Sequence, residues 1–210
     1  MPNRRPLATR DTKLANRAAA ALARRGVSPN RISQLSILFA ALAGGGFWVS
    51  GVGAGFASVA GLVAAAAGCQ LRLLCNLLDG MVAVEGGQGV ADGPFWNEVP
   101  DRVADAMILA GLGLGAGQPA LGWAAAALAI GTAYLREFGC AQGVPADFRG
   151  PMAKPHRMAL ATGAALVATV APNLAGVPTL TLALWLLIAG TALTLLRRSH
   201  SLLIQLRARG

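Results

Sequence analysis

Charge is missing from three long stretches of this 210-residue chain: residues 32–71, 106–135 and 158–196 contain no Asp, Glu, Lys or Arg. Without a polar face these stretches cannot form the surface of an ordinary soluble domain. One bilayer crossing takes about 20 apolar residues as a helix, so the first and third stretches are each long enough for two. Backbone polar groups cannot stay unpaired in lipid, which makes helices the expectation and excludes isolated strands. Cysteine and histidine are scarce as well. Cys69 and Cys75 fall on one expected helix and cannot easily bridge, and no Cys has metal-site spacing to His156 or His200. That excludes a disulfide framework and a zinc centre.

Gly- and Pro-containing breakers divide the apolar stretches into six expected spans, at about 31–51, 55–82, 94–116, 120–141, 156–172 and 178–197. The turns SGVGAG, GQP and PNLAGVP are uncharged, whereas Lys and Arg crowd the N-terminus, the loop around Arg149, Lys154 and Arg157, and the C-terminus. By the positive-inside rule both termini and both charged loops are cytoplasmic. The expected fold is an all-α integral membrane domain of six transmembrane helices over 31–197, in the cell membrane (the inner membrane of a bacterium). A basic juxtamembrane segment over 1–30 precedes it, and a basic tail over 198–210 follows. In DTKLANRAAAALARR, Leu14, Ala18, Ala21 and Leu22 share a helical face and the cations lie elsewhere, as in an amphipathic helix resting on anionic lipid. This placement accounts for the net charge of +9 without nucleic acid as a partner.

Acids are few, nine in all, and six of them lie in residues 75–105: Asp79, Glu85, Asp92, Glu98, Asp101 and Asp105. Intramembrane carboxylates are costly and mark function by default. Asn76 and Asp79 are three apart on the second span, with Arg72 one turn before them; Asn97, Asp101 and Asp105 recur every four residues on the third. Two such stripes facing each other offer hard oxygen donors to Mg²⁺, Mn²⁺ or Ca²⁺. Between them lies the flexible link EGGQG, and Asp92 followed by Gly93 and Pro94 reads as a capped helix start.

These residues resemble the signature of the CDP-alcohol phosphatidyltransferases, D-x-x-D-G-x-x-A-R, eight residues, then G-x-x-x-D-x-x-x-D. Asp79, Gly80, Ala83, Gly93 and Asp101 match it; Asn76 and Asn97 stand at the first and third Asp positions and Val84 at the Arg. GVSPNRIS at 26–33 is similar to the TPN-x-I-[ST] start of the family's first span. The resemblance implies transfer of a phosphatidyl or related group from a CDP-diacylglycerol-type lipid to an alcohol, with CMP released, in phospholipid biosynthesis. It further implies one or two Mg²⁺ or Mn²⁺ ions held by Asn76, Asp79, Asn97 and Asp101, and CDP bound along Asp79, Gly80, Ala83 and Gly93. Asp101 is then the catalytic base, and a homodimer is the implied assembly.

The departures bear on that picture. Two Asn in place of Asp remove two negative charges and keep two neutral oxygen donors, which lowers the expected metal affinity. Glu98 and Asp105 are candidates to restore charge, Arg72 to replace the missing Arg in gripping CDP. Arg136, Arg149, Lys154 and Arg157 are the expected contacts of a polar acceptor alcohol, free or phosphorylated. Two other readings stand beside catalysis: a family member that binds CDP-lipid or a partner without turnover, and a small ion or solute carrier lined by Asp79, Asp101 and Asp105.

Overall fold

A computed structural model describes residues 12–85 and 91–209 of the protein. The link at 86–90, the first eleven residues and Gly210 lie outside the described residues, as do the side chains of Leu14, Val84 and Glu85. The EGGQG turn, the side-chain consequence of Val84 and the role of Glu85 therefore lie outside them too.

The described residues form seven helices: α1 (Lys13–Arg24), α2 (Pro29–Val52), α3 (Phe56–Glu85), α4 (Gly93–Gly115), α5 (Pro119–Ala141), α6 (Lys154–Val170) and α7 (Thr179–Arg207). Each of α2 to α7 overlaps one expected apolar span, and no span overruns its helix by more than two residues. Among the described residues three helices, against the six expected, are long and apolar enough to cross a membrane: Pro29–Val52, Phe56–Ala83 and Thr179–Arg207. α7 continues well past residue 197, so Arg198 and Arg207, expected in a tail, extend the last helix.

Local chemistry sets the helix ends. Thr12 caps α1 by accepting from the Ala15 amide at 3.3 Å, and Ser28 caps α2 by accepting from the Arg31 amide at 3.4 Å, with Pro29 in the first turn. Asp92 precedes α4 but makes no side-chain cap. Its carboxylate accepts instead from Asn30 Nδ2 at 3.2 Å and Trp96 Nε1 at 3.0 Å, tying the start of α4 to α2. The PNLAGVP segment is more than a turn. Asn173 pairs with Pro178 and Leu174 with Val177 in a short hairpin of strands β1 (Asn173–Leu174) and β2 (Val177–Pro178). Its two central residues, Ala175 (φ 51°) and Gly176 (φ 80°), both take the left-handed conformation that a two-residue hairpin demands.

α2 packs on both α3 and α4, α5 on α4 and α7, and α6 on α3 and α7. The core is built of small and branched side chains, including Ala43, Phe47, Ala65, Ile108, Leu112, Ala165 and Leu184. At Gly111 a Cβ would lie 2.4 Å from Gly44 Cα, so α2 and α4 approach to backbone contact there. The outer surface is apolar: Leu38, Trp48, Phe56, Trp123, Val170 and Leu196 are all exposed, as lipid-facing residues are.

α1 lies across α3. Its buried face is centred on Ala15 and Ala19, packed with Ile32, Cys75, Leu78, Met81 and Val82. Ala18 and Leu22 border this face. The apolar side of the amphipathic helix is therefore turned onto the bundle, with Ala15 and Ala19 beside Ala18 and Leu22 of the expected face.

Candidate active site

α3 and α4 are separated by α2 for much of their length, and where the two come nearest their polar residues bridge the gap. Asn76 Nδ2 donates to Asp101 Oδ1 at 2.5 Å, joining the two halves of the acidic stretch. One turn earlier on α3, Arg72 Nη2 donates to Asp105 Oδ1 at 2.8 Å and to the Asp101 carbonyl at 3.1 Å, and reaches Asp101 Oδ1 at 3.4 Å. The i, i+4 spacing of Arg72 with Asn76 thus meets the i, i+4 spacing of Asp105 with Asp101 rung by rung.

The sixth helix completes the cluster. Arg157 Nη2 donates to Asp105 Oδ2 at 2.7 Å, and the Lys154 ammonium bonds Asp101 Oδ2. Asp105 is buried with both oxygens held by guanidinium groups; Asp101 is a quarter exposed. Asp79 is buried beside them, its Oδ2 accepting from Ser33 Oγ at 2.7 Å and its Oδ1 from the Gly80 amide at 2.6 Å. Arg72 Nε, Arg72 Nη1 and Arg157 Nε are buried without an acceptor among the described residues, donors that suit an oxyanion.

The structure thus gathers Arg72, Asn76, Asp79, Asp101, Asp105, Lys154 and Arg157 and leaves other candidates elsewhere. Asn97 is exposed and its amide donates to Glu98 Oε1 at 3.3 Å. Glu98 neither faces the cluster nor restores its charge: it binds Arg102 and, at 2.5 Å, Arg136. Arg136 also holds Glu137 at 2.8 Å and stacks on Phe148, 5.4 Å from the ring centroid. Gly80 and Ala83 lie half-buried in the last turns of α3, and Gly93 opens α4.

Arg149 belongs to a separate cavity of about 270 Å³ lined by Asp147, Arg149, Gly150, Arg197, Arg198 and Ser201. Arg198 is buried, donating to the Arg149 carbonyl at 2.9 Å and the Thr132 carbonyl at 3.0 Å. Burial pushes the Asp147 carboxyl up, but hydrogen bonds and charge from Arg149 outweigh it and hold the group below the usual carboxylate range. Four expected acceptor contacts therefore divide: Lys154 and Arg157 join the acids, Arg149 lines the cavity, and Arg136 is engaged by glutamates. Ser33, Arg197, Arg198 and Ser201 are additions. Ser33 had a signal in the sequence, since it ends GVSPNRIS; the other three had none beyond basic charge near the last helix.

The cluster's donors fit one hard divalent cation. Asp79, Asp101 and the amide of Asn76 could offer oxygens to it, since Asn76 already stands against Asp101 and an amide turned over presents its oxygen in place of its nitrogen; Asn97, exposed and bonded to Glu98, stands apart from them. Two carboxylates match the charge of one such ion and not of two. Among the described residues no group of three or more His, Cys, Asp or Glu side chains is arranged to hold a metal, so the Asn76 amide is needed.

An all-helical bundle whose third, fourth and sixth helices enclose an acid–base cluster is the class that fold and site define together. No family model matches this sequence, and no curated protein matches it. Its fold is that of the phosphatidylinositol phosphate synthase PgsA1 of Mycobacterium tuberculosis. The structure of that protein with CDP-DAG bound superposes with a TM-score of 0.73 at 21% identity, over 91% of this chain and 94% of that one. The form with manganese and citrate gives 0.72 at 21% identity over 90% and 88%, and the apo form 0.68 at 21% identity over 87% and 93%.

Proposed function

We propose that this chain is a CDP-alcohol phosphotransferase of the cell membrane, crossing it six times with both termini in the cytoplasm and acting as a homodimer. The observation that carries the reading is the Asn76–Asp101 contact. It unites the two halves of the signature in a fold shared with a synthase solved with CDP-DAG bound. The donor is a CDP-diacylglycerol-type lipid, and the acceptor a polar, phosphorylated alcohol.

A single Mg²⁺ or Mn²⁺ held by Asp79, Asp101 and Asn76 would neutralise diphosphate charge as the phosphorus–oxygen bond breaks. The chain's own residues do the rest. Ser33 and the Gly80 amide fix the Asp79 carboxylate, and Arg72 with Asn76 fixes Asp101 Oδ1. Asp101 takes the hydroxyl proton as the alcohol oxygen bonds to the lipid-side phosphorus; the bond from that phosphorus to the bridging oxygen breaks, and CMP leaves with the electron pair. Arg149 and Arg197, lining the separate cavity, supply cations to an acceptor phosphate.

A reading without turnover also has an observation behind it. Both Asp101 oxygens are already engaged, Oδ1 by Asn76 and Oδ2 by Lys154, as suits a pocket that only binds. The deciding experiment incubates purified protein with CDP-diacylglycerol, Mn²⁺ or Mg²⁺ and a panel of free and phosphorylated alcohols. CMP release with one of them supports transfer; CDP-lipid binding with no CMP from any of them overturns it in favour of binding alone.

A further inference from the structure

The acid cluster has a locked half and an open half. Arg72, Asp105 and Arg157 are 0%, 7% and 5% exposed at their side chains, whereas Lys154 and Asp101 are 22% and 24% exposed. Lys154 is the first residue of α6, reached from α5 through the irregular segment 142–153, and no side chain caps the helix start at Ala153. An ammonium on a four-carbon stem is a compact point charge that changes partners easily, unlike the forked guanidinium groups behind it. Lys154 bonds Asp101 Oδ2, on the carboxylate that the metal reading also requires.

Asp101 cannot serve both cations fully. Asp79 and Asp101 supply two negative charges, Arg72 already draws on Asp101, and the Asn residues add none. A divalent ion added beside Lys154 leaves the site with excess positive charge until the ammonium finds another anion. The diphosphate of a CDP-lipid is such an anion.

We propose that Lys154 is a tethered counter-cation that closes the metal position in the resting protein. It passes from Asp101 to the donor's diphosphate when the donor arrives. Ion and nucleotide are thereby taken up as a coupled pair, and the resting site holds a divalent ion weakly. This rests on the transferase reading of the same site, and it gives Lys154 a role toward the donor, whereas the sequence had suggested the acceptor. A lysine that merely anchored α6 would resemble Arg157, buried and bonded both to Asp105 and to the Met152 carbonyl at 3.1 Å.

The test is Mn²⁺ binding to the full detergent-solubilised chain, followed by electron paramagnetic resonance with and without CDP and corrected for the Mn²⁺–CDP complex in solution. In the wild type, CDP tightens Mn²⁺ binding on the order of tenfold, a usual size for coupling between two ligands. Lys154→Met binds Mn²⁺ about tenfold tighter without CDP and loses most of that coupling, whereas Lys154→Arg keeps the weak resting affinity. If Lys154→Met binds Mn²⁺ no tighter than the wild type, the counter-cation role is overturned, while the transferase reading still stands or falls on CMP release. Absence of Mn²⁺ binding in every form, with or without CDP, overturns the counter-cation role and the metal assignment together.

Discussion

Arg72 on α3 and Asp105 on α4 are joined across 2.8 Å at full burial, and Arg157 from α6 closes on the second Asp105 oxygen at 2.7 Å. Three helices separated in sequence meet on one carboxylate. Asp105 is therefore an anchor, and its distance from Asp101 along α4 sets where the exposed acid stands.

Removing that anchor leaves two buried guanidinium groups without their counter-charge. Asp105→Ala is expected to cost about 3–5 kcal/mol, the usual penalty for breaking a buried pair from one side. At roughly 2–4 °C per kcal/mol for a chain of this size, thermal unfolding in detergent falls on the order of 10 °C. An unchanged midpoint contradicts the anchoring role.

Asn76 faces Asp101 at 2.5 Å with an amide, so Asn76→Asp sets two carboxylates against each other. In EDTA this variant should unfold roughly 2–4 °C lower than the wild type, about 1 kcal/mol of like-charge repulsion. Added Mn²⁺ should more than restore it, because a ligand that binds only the folded state stabilises by mass action. Equal melting with and without Mn²⁺ would sink the assignment of Asn76 to the metal site.

Arg149 lines the cavity with its guanidinium mostly exposed, bonded to Asp147 at 3.0 Å and to Ser201 Oγ at 3.1 Å. Arg149→Ala should raise KM for a phosphorylated acceptor on the order of tenfold, with KM for the CDP-lipid unmoved. A matching rise for both substrates places the acceptor phosphate elsewhere.

Much of the site was legible because it follows local periodicity. Asn76 and Asp79, Asp101 and Asp105 each share a helix face, and four-residue spacing on antiparallel helices predicts the rungs that Arg72 and Asn76 make with α4. The apolar runs showed where the helices lie for the same reason. Long-range choices were hidden. Lys154 and Arg157 lie over fifty residues from the acids they bind, and nothing in a basic loop tells an acceptor contact from an internal counter-charge. α1 packs through Ala15 and Ala19 beside Ala18 and Leu22 of the expected face, because alanine is small enough to pack on either side of that helix. Asp92 has the chemistry of a cap, yet a tertiary donor from Asn30 and the local indole of Trp96 take its carboxylate in place of the helix amides.

The central claim is that Asp101 takes the proton of an attacking alcohol at a CDP-lipid site, and CMP release tests it most directly. Wild type and Asp101→Asn are compared with CDP-diacylglycerol, Mn²⁺ and the responsive acceptor, with CDP-lipid binding measured on the same samples. The account predicts CMP from the wild type and a loss of about 10²–10⁴-fold in the variant, with binding retained. CMP release by Asp101→Asn at the wild-type rate would contradict it.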